Sequence, residues 1–209
     1  MDFISARINM VDCQVKTNDV TDPAIQLAMR MVARERFCAP ARAFAAYADV
    51  EPEICPGRHL MRPRDVAKLL QAAKPRQGEK ALGIAAPYAA AVLAEIGLNV
   101  TAQEGDARAA AVLDQALEDY GVALEVADLK TPIGSDYDLI VCEAALQQVP
   151  AAWIAALKLG GRLALVERDG PVGKARLFQK IETGSTSREV FDATPPMLAG
   201  FERAPTFQF

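Results

Sequence analysis

The chain has 209 residues, 51% of them hydrophobic, and a formal net charge of -4. This length and composition support one sizeable core, so we expect a single compact domain. The negative charge and the lack of a long basic run exclude, on electrostatic grounds, nucleic acid and anionic membranes as expected partners. No apolar run approaches the roughly 20 residues that cross a bilayer.

The residues that usually bind metals or form disulfides are few and scattered. The four cysteines, at positions 13, 38, 55 and 142, form no C-x-x-C pair, and His59 is the single histidine. We therefore expect no metal site, and reduced thiols of the kind found in cytoplasmic proteins. The N-terminus carries an acid at position 2 and lacks a long apolar centre, so no signal peptide is expected.

The first 63 residues predict helices followed by a loop. Apolar spacing predicts a helix over residues 2–16, and the pair Asp22-Pro23 predicts the start of another that runs to residue 31. Phe44 and Tyr47 lie three residues apart, a spacing typical of core packing. Residues 50–63 hold three prolines and one glycine, which indicates an irregular loop. Its arginines are interpreted as a solvated face.

From residue 64 onward, strands alternate with helices. Strands are predicted at 81–85, 99–103, 122–127, 137–142 and 162–167, and helices at 64–73, 88–96, 106–120 and 147–159. Residues 175–181 and 188–192 resemble a closing hairpin. This order indicates a doubly wound, mostly parallel sheet with an antiparallel end. We divide the chain into an N-terminal extension with its loop, residues 1–63, packed on a core of residues 64–209.

Residues 80–104 form the β-α-β unit on which the functional interpretation depends. In such units the crevice beyond the strand ends binds nucleotide-like cofactors, because glycines in the first turn admit the ligand and an acid ending the second strand takes the ribose hydroxyls. Glu104 stands at the position of that acid, and a solvated strand end is the alternative interpretation. The turn itself is Ala85-Ala86-Pro87, without glycine.

Several segments, in order along nearly the whole chain, resemble protein-L-isoaspartate O-methyltransferases of the divergent α-proteobacterial type. The segments are NMVDCQVKTNDVTDPAIQLAM, RERFCAPARAFAAYAD, PGRHLMRP, KALGIAAPYAAAVLAEIG, YDLIVCEAALQQVPAAWIAALKLGGRLALV and LAGFERAPTFQF. The resemblance implies a Rossmann-like S-adenosylmethionine methyltransferase fold. That α/β fold has a seven-stranded sheet, an antiparallel C-terminal hairpin and an N-terminal helical extension.

The resemblance also implies where a cofactor would bind. The matching positions are Gly83, Ala85, Tyr88, Glu104 and Asp128, the last of them near the adenine. The family pattern V-L-(D/E)-(I/V)-G-x-G-(T/S)-G-Y has three loop glycines, all missing here, and Gly83 replaces its strand acid. These positions are therefore interpreted as vestigial.

The substrate loop of the family, G-Q-T-I-S-x-P, resembles residues 57–63. Gly57 and Pro63 are kept, whereas Met61 replaces the hydroxyl residue and His59 replaces a threonine. His59 is expected on the surface because the sequence shows no acid partner for it. Because of these changes, we assign no catalytic residue in this loop.

The altered turn predicts a pseudoenzyme that has lost S-adenosylmethionine binding and serves as a binding or regulatory module without a cofactor. Each alanine pushed toward a close-packed ligand costs on the order of 1–3 kcal/mol. The expected partner is another protein or a second copy, with the N-terminal helices as contact surface through Phe3, Ile8 and Val15. Two alternatives stay open: an active S-adenosylmethionine-dependent carboxyl methyltransferase that repairs isoaspartyl residues, and a pocket adapted to another small molecule.

Overall fold

The N-terminal segment is helical, as the sequence predicts. The computed structural model describes residues 2–203. Helix α1 (Phe3–Met10) continues through a π-helical turn (Val11–Val15) and a 3-10 turn (Lys16–Asn18). Helix α2 (Pro23–Met31) begins where Asp22 accepts a hydrogen bond from the Ala24 N–H at 2.8 Å. Val15 is fully buried, so it belongs to the core and not to the contact surface expected of it.

The connection from α2 to the core is more ordered than the sequence suggests. Two 3-10 helices (Arg34–Phe37 and Pro40–Ala45) lead to a two-stranded antiparallel sheet of β1 (Glu53–Cys55) and β2 (Arg58–His59). The prediction of an irregular loop over residues 50–63 was therefore wrong at its centre. The prediction for Phe44 was also wrong, because its side chain is 62% exposed, whereas Tyr47 is buried.

The core is a seven-stranded sheet in the order β5-β4-β3-β6-β7-β8-β9. The strands from β3 to β7 are parallel, and β8 and β9 form the antiparallel end. The elements are α3 (Pro63–Ala73), β3 (Lys80–Ile84), α4 (Pro87–Ile96), β4 (Asn99–Glu104), α5 (Ala107–Glu118), β5 (Ala123–Val126), β6 (Tyr137–Leu146), α6 (Ala151–Ala155), β7 (Leu157–Glu167), β8 (Gly173–Ile181) and β9 (Gly184–Ala193). The predicted fold class is confirmed.

Strand β6 shows why both faces of the sheet are covered. Its residues alternate between two hydrophobic clusters: Leu139 and Val141 pack with the N-terminal segment, α3, α4 and α5, whereas Ile140 and Cys142 pack with Trp153 of α6. Successive side chains of a strand point to opposite faces, so each cluster covers one face. A strand buried on both faces reads as the continuous apolar run seen in this sequence.

One helix is much shorter than predicted. The sequence predicts a helix over residues 147–159, yet α6 ends at residue 155 and β7 begins at Leu157. Tyr137 pairs with Leu157, and the register then shifts before Leu139 pairs with Arg162. Gly160 adopts a φ of +79° within this irregular stretch. The two glycines that were expected to end the helix instead permit a kink inside a strand.

Candidate functional site

The crevice lies where the chain order of the sheet reverses. Strands β3, β4 and β5 follow one another outward, and the chain then returns to place β6 on the other side of β3. In open α/β sheets this switch point, beyond the carboxyl ends of the strands, is where ligands bind. The ends at residues 85, 104 and 142 therefore define the candidate site.

The turn after β3 is closed and buried. Ala85 and Ala86 are each 1% exposed, and Tyr88 is fully buried. Ala85 has a φ of +48°, a left-handed conformation that costs a residue with a Cβ on the order of 1–2 kcal/mol. Its N–H is bound to the Gln103 carbonyl at 2.9 Å. The backbone of this turn is thus engaged within the protein.

Gly83 is required by this closed turn. A Cβ added to Gly83 would lie 3.0 Å from the Ala86 carbonyl oxygen and 3.0 Å from the Ala90 Cβ. Both contacts are tighter than ordinary van der Waals packing, so a larger side chain there would displace the first turn of α4. The glycine that replaces the family's strand acid therefore packs directly against the alanines of the turn and of α4.

Arg58 fills the site in front of Glu104. Its Nη2 donates to Glu104 Oε2 at 2.8 Å and to the Ala85 carbonyl at 3.3 Å, and its Nε lies 3.3 Å from both carboxylate oxygens. Glu104 is 2% exposed and Arg58 8% exposed. The interpretations of Arg58 as part of a solvated face and of Glu104 as a solvated strand end were both wrong. The guanidinium joins the end of β4 to the turn after β3.

The backbone beyond β4 completes the environment of the Glu104 carboxylate. Its Oε1 accepts hydrogen bonds from the N–H groups of Gly105 at 2.9 Å and Asp106 at 3.3 Å. Together with Arg58 these donors surround both oxygens. A carboxylate with this many donors is held in one orientation.

An open cavity of about 660 Å³ remains beside this ion pair. It contains charged groups from β4, α5 and the loop after β5, and apolar groups from that loop and the C-terminal segment. The lining is Pro56, Gly57, Arg58, Glu104, Gly105, Asp106, Arg108, Asp128, Leu129, Lys130, Leu198, Ala199, Gly200 and Phe201. The cavity thus reaches Glu104 and Asp128, while the turn after β3 lies behind Arg58.

The residues of the matching substrate loop are not gathered in one open pocket. Gly57 lines the cavity with a φ of +86°, whereas Met61 is fully buried and Pro63 opens α3. His59 is half-buried, and its Nδ1 has no hydrogen-bond partner among the described residues. It lines a separate cavity with Phe44 and Val50, and so lies apart from Glu104.

Two buried charged residues escaped the sequence analysis, Arg58 as a partner of Glu104 and Glu143 as a buried acid. Glu143 is 1% exposed and accepts a hydrogen bond from the Ala89 N–H in the first turn of α4. Burial raises the pKa of the Glu143 carboxyl to about 7. The available signal was an acid directly after the apolar run of β6. Cys142 beside it is buried, and burial raises the pKa of its thiol, which agrees with an unreactive packing role.

Other kinds of site find no support in the described part of the chain. Residues 2–203 contain no group of three or more histidine, cysteine, aspartate or glutamate side chains arranged to hold a metal. The helices described here are all too short or too polar to cross a membrane.

The comparisons with known proteins agree on one family. Residues 6–193 match the family model described as protein-L-isoaspartate(D-aspartate) O-methyltransferase. A protein-L-isoaspartate O-methyltransferase of Methylorubrum extorquens (strain PA1) is 34% identical over 209 residues, covering 95% of this chain and 91% of that protein. One of Rhodopseudomonas palustris (strain ATCC BAA-98 / CGA009) is 34% identical over 179 residues, covering 82% of this chain and 80% of that protein.

Solved structures show the same fold. A protein-L-isoaspartate O-methyltransferase structure superposes with a TM-score of 0.78 at 20% identity, covering 93% of this chain and 66% of that one. A putative member from Plasmodium falciparum, in complex with S-adenosyl-L-homocysteine, gives a TM-score of 0.79 at 14% identity, covering 92% and 97%. With the family model matching most of its length, the chain belongs to the protein-L-isoaspartate O-methyltransferase family.

Proposed function

We propose that this family member is a ligand-binding or regulatory module that does not use S-adenosylmethionine as a methyl donor. The observation that carries the proposal is the contact of Arg58 with both Glu104 and the Ala85 carbonyl. An adenosyl group placed by the family pattern needs the Glu104 oxygens for its ribose hydroxyls, and here those oxygens face a guanidinium. As arranged, the residues present do not fit the group.

The turn after β3 supports the same proposal. A cofactor held by this turn needs exposed backbone N–H groups and room for close approach. Here Ala85 and Ala86 are almost fully buried, the Ala85 N–H is bound to Gln103, and Pro87 has no N–H. Two or three missing contacts of about 1–3 kcal/mol each lower affinity by several powers of ten.

The remaining cavity supports a binding role. It combines apolar groups such as Leu198 and Phe201 with the charged groups Asp128 and Lys130. Ligand sites typically have this composition of apolar walls with a few polar groups. A small molecule bound beside Glu104 would not need to displace Arg58. A protein partner, a second copy and a cytoplasmic location stay predictions.

The second candidate is an active S-adenosylmethionine-dependent carboxyl methyltransferase that repairs isoaspartyl residues in proteins. The relatives reported above all carry the enzyme's name, and Glu104 and Asp128 both line the open cavity. The comparisons favour this candidate over the first. It requires Arg58 to leave Glu104 when the cofactor enters, and the attacking substrate carboxylate would need little beyond correct positioning.

Native mass spectrometry of freshly purified protein distinguishes the candidates. We expect either the bare mass of the chain or a small non-adenosyl ligand. A retained adenosyl compound, together with methylation of an isoaspartyl peptide by the same preparation, would overturn the first candidate in favour of the second. The Arg58→Ala variant serves as a matched comparison, because it frees Glu104 and the Ala85 carbonyl while leaving the residues of the turn after β3 unchanged.

A further inference from the structure

A second layer of buried charge lies directly behind Arg58. Arg34 and Glu143 are 0% and 1% exposed, although neither is part of the cavity lining. Charged side chains are almost never this buried unless other groups hold them. Their contacts converge on the segment that carries Arg58, residues 58–61, which we call the closing segment.

Arg34 fastens the end of the closing segment. It donates through Nη2 to the Met61 carbonyl and through Nε to the Ala46 carbonyl at 2.8 Å. The guanidinium carbon also lies 4.5 Å from the centre of the Tyr88 ring, on the first turn of α4. One side chain thus ties the closing segment to the helix that follows the turn after β3.

Glu143, on β6, lies against the same two elements, the closing segment and α4. It accepts a hydrogen bond from the Ala89 N–H of α4, and the Met61 N–H faces the same carboxyl group. Its Oε2 has no hydrogen-bond partner among the described residues, and the same is true of Arg34 Nη1 and Tyr88 Oη. A buried acid that is only half satisfied is costly in its charged form.

We propose that Arg34 and Glu143 are positioning residues that hold the closing segment down and thereby keep Arg58 on Glu104. The inference rests on the proposed closure of the crevice and names the groups that maintain it. Neither side chain lines the open cavity; Arg34 acts through the Met61 carbonyl, and Glu143 through the Ala89 N–H and its charge beside Arg34. Leu60 and Met61 are fully buried and the Met61 N–H faces Glu143, so lifting the closing segment would admit water beside this carboxyl group.

This arrangement makes the closure depend on pH. Hydration of Glu143 in the lifted state would return its pKa from about 7 toward the usual 4.5, so lifting releases a proton and is favoured as the pH rises. Burial raises the pKa of both Tyr88 and Cys142 above their ordinary alkaline values, and arginine stays protonated. The groups facing Glu143 are Arg34, Arg58, Tyr88 and Cys142, with Glu104 beyond Arg58.

Hydrogen exchange of the full chain, followed by mass spectrometry between pH 5.5 and 8, tests the inference. After correction for intrinsic exchange rates, the opening constant of residues 58–61 should rise on the order of 10- to 30-fold across this range. Glu143→Gln, which keeps the shape and removes the titration, should abolish that rise. Arg34→Lys should raise opening at every pH while leaving β3 protected.

The matched control is Glu95→Gln, because Glu95 is exposed on α4, the helix that Glu143 contacts through the Ala89 N–H, and it makes no ion pair within residues 2–203. This variant should follow the unmodified chain. An unchanged pH dependence in Glu143→Gln, or unchanged protection in Arg34→Lys, would overturn the inference. Tight cofactor binding by the unmodified chain would instead contradict the proposed function, so the two failures are distinguishable.

Discussion

Arg58, on a strand of only two residues, donates to Glu104 at the end of β4 with an Nη2 to Oε2 distance of 2.8 Å. The pair joins residues 46 positions apart, and its guanidinium also reaches the turn after β3. The Arg58 side chain thus makes an internal contact with the ends of two neighbouring strands, β3 and β4.

The ion pair should contribute to stability as a coupled unit. Arg58→Met leaves the buried Glu104 carboxylate without its main partner, and we expect a loss of about 3 kcal/mol in the free energy of unfolding. Adding Glu104→Gln should recover on the order of 2 kcal/mol of that loss, because the unpaired charge is gone. Urea denaturation measures both values.

The control is the exposed pair of Lys174 and Asp192, with an Nζ to Oδ1 distance of 2.6 Å. Lys174→Ala should leave the urea midpoint unchanged, since exposed pairs contribute little. Strictly additive effects of the Arg58 and Glu104 substitutions would show that the two groups are not coupled.

Gly83 should resist substitution because of the closed turn. Gly83→Ala places a Cβ 3.0 Å from the Ala86 carbonyl oxygen and the Ala90 Cβ, and we expect a loss of about 1–3 kcal/mol. Shortening Ala90 to glycine costs about 1 kcal/mol alone but removes one of the two contacts. The double variant should therefore be more stable than the sum of the single effects. Thermal denaturation with all four proteins checks this, and simple additivity would contradict the close packing.

Stability should fall with rising pH because of Glu143. Its pKa in the folded chain, about 7, lies above its value of 4.5 in the unfolded chain, so the folded state binds more protons between these values. Relative to Glu143→Gln, the unmodified chain should lose about 1.4 kcal/mol per pH unit in this window and little above it. Urea denaturation from pH 5 to 8 measures the difference, and a constant gap between the two proteins would contradict the assignment.

Trp153 should report on the cavity. Its indole Nε1 donates to the Leu129 carbonyl at 2.8 Å, and its ring centre lies 5.5 Å from that of Phe201. Leu129 and Phe201 both line the cavity, and Trp153 is the single tryptophan. Trp153→Phe should cost about 1–3 kcal/mol, because the buried carbonyl loses its donor. In the unmodified chain, a ligand in the cavity should shift the tryptophan emission. An unshifted spectrum at saturating ligand would show that the ligand does not change the surroundings of Trp153.

The sequence allowed the β-α-β unit of residues 80–104 to be predicted almost to the residue. Its apolar runs, the Pro87 start and the Gly97 stop act locally, and Gly97 indeed adopts a φ of +103° at the end of α4. Such features depend on neighbours in sequence, where periodicity and breaking residues are informative.

The contacts that define the site could not be predicted in this way. Arg58 and Glu104 pair across two different elements, and nothing in either local sequence indicates the partner. Glu143 follows an apolar run and would ordinarily be assigned to solvent. The extent of β7 was missed for the same reason, since its first residues extend along β6 only in the folded sheet. The division at residue 63 stays a prediction, and the end of the core after residue 203 lies outside the described residues.

Calorimetric titration of the purified chain with S-adenosylmethionine, and with S-adenosylhomocysteine as its product analogue, tests the central claim most directly. With Arg58 on Glu104 and the turn after β3 buried, we predict no measurable heat of binding at concentrations up to about a hundred times those that saturate a low-micromolar site. A low-micromolar dissociation constant with one ligand per chain would contradict the proposed loss of cofactor binding. It would instead support an active methyltransferase of this family.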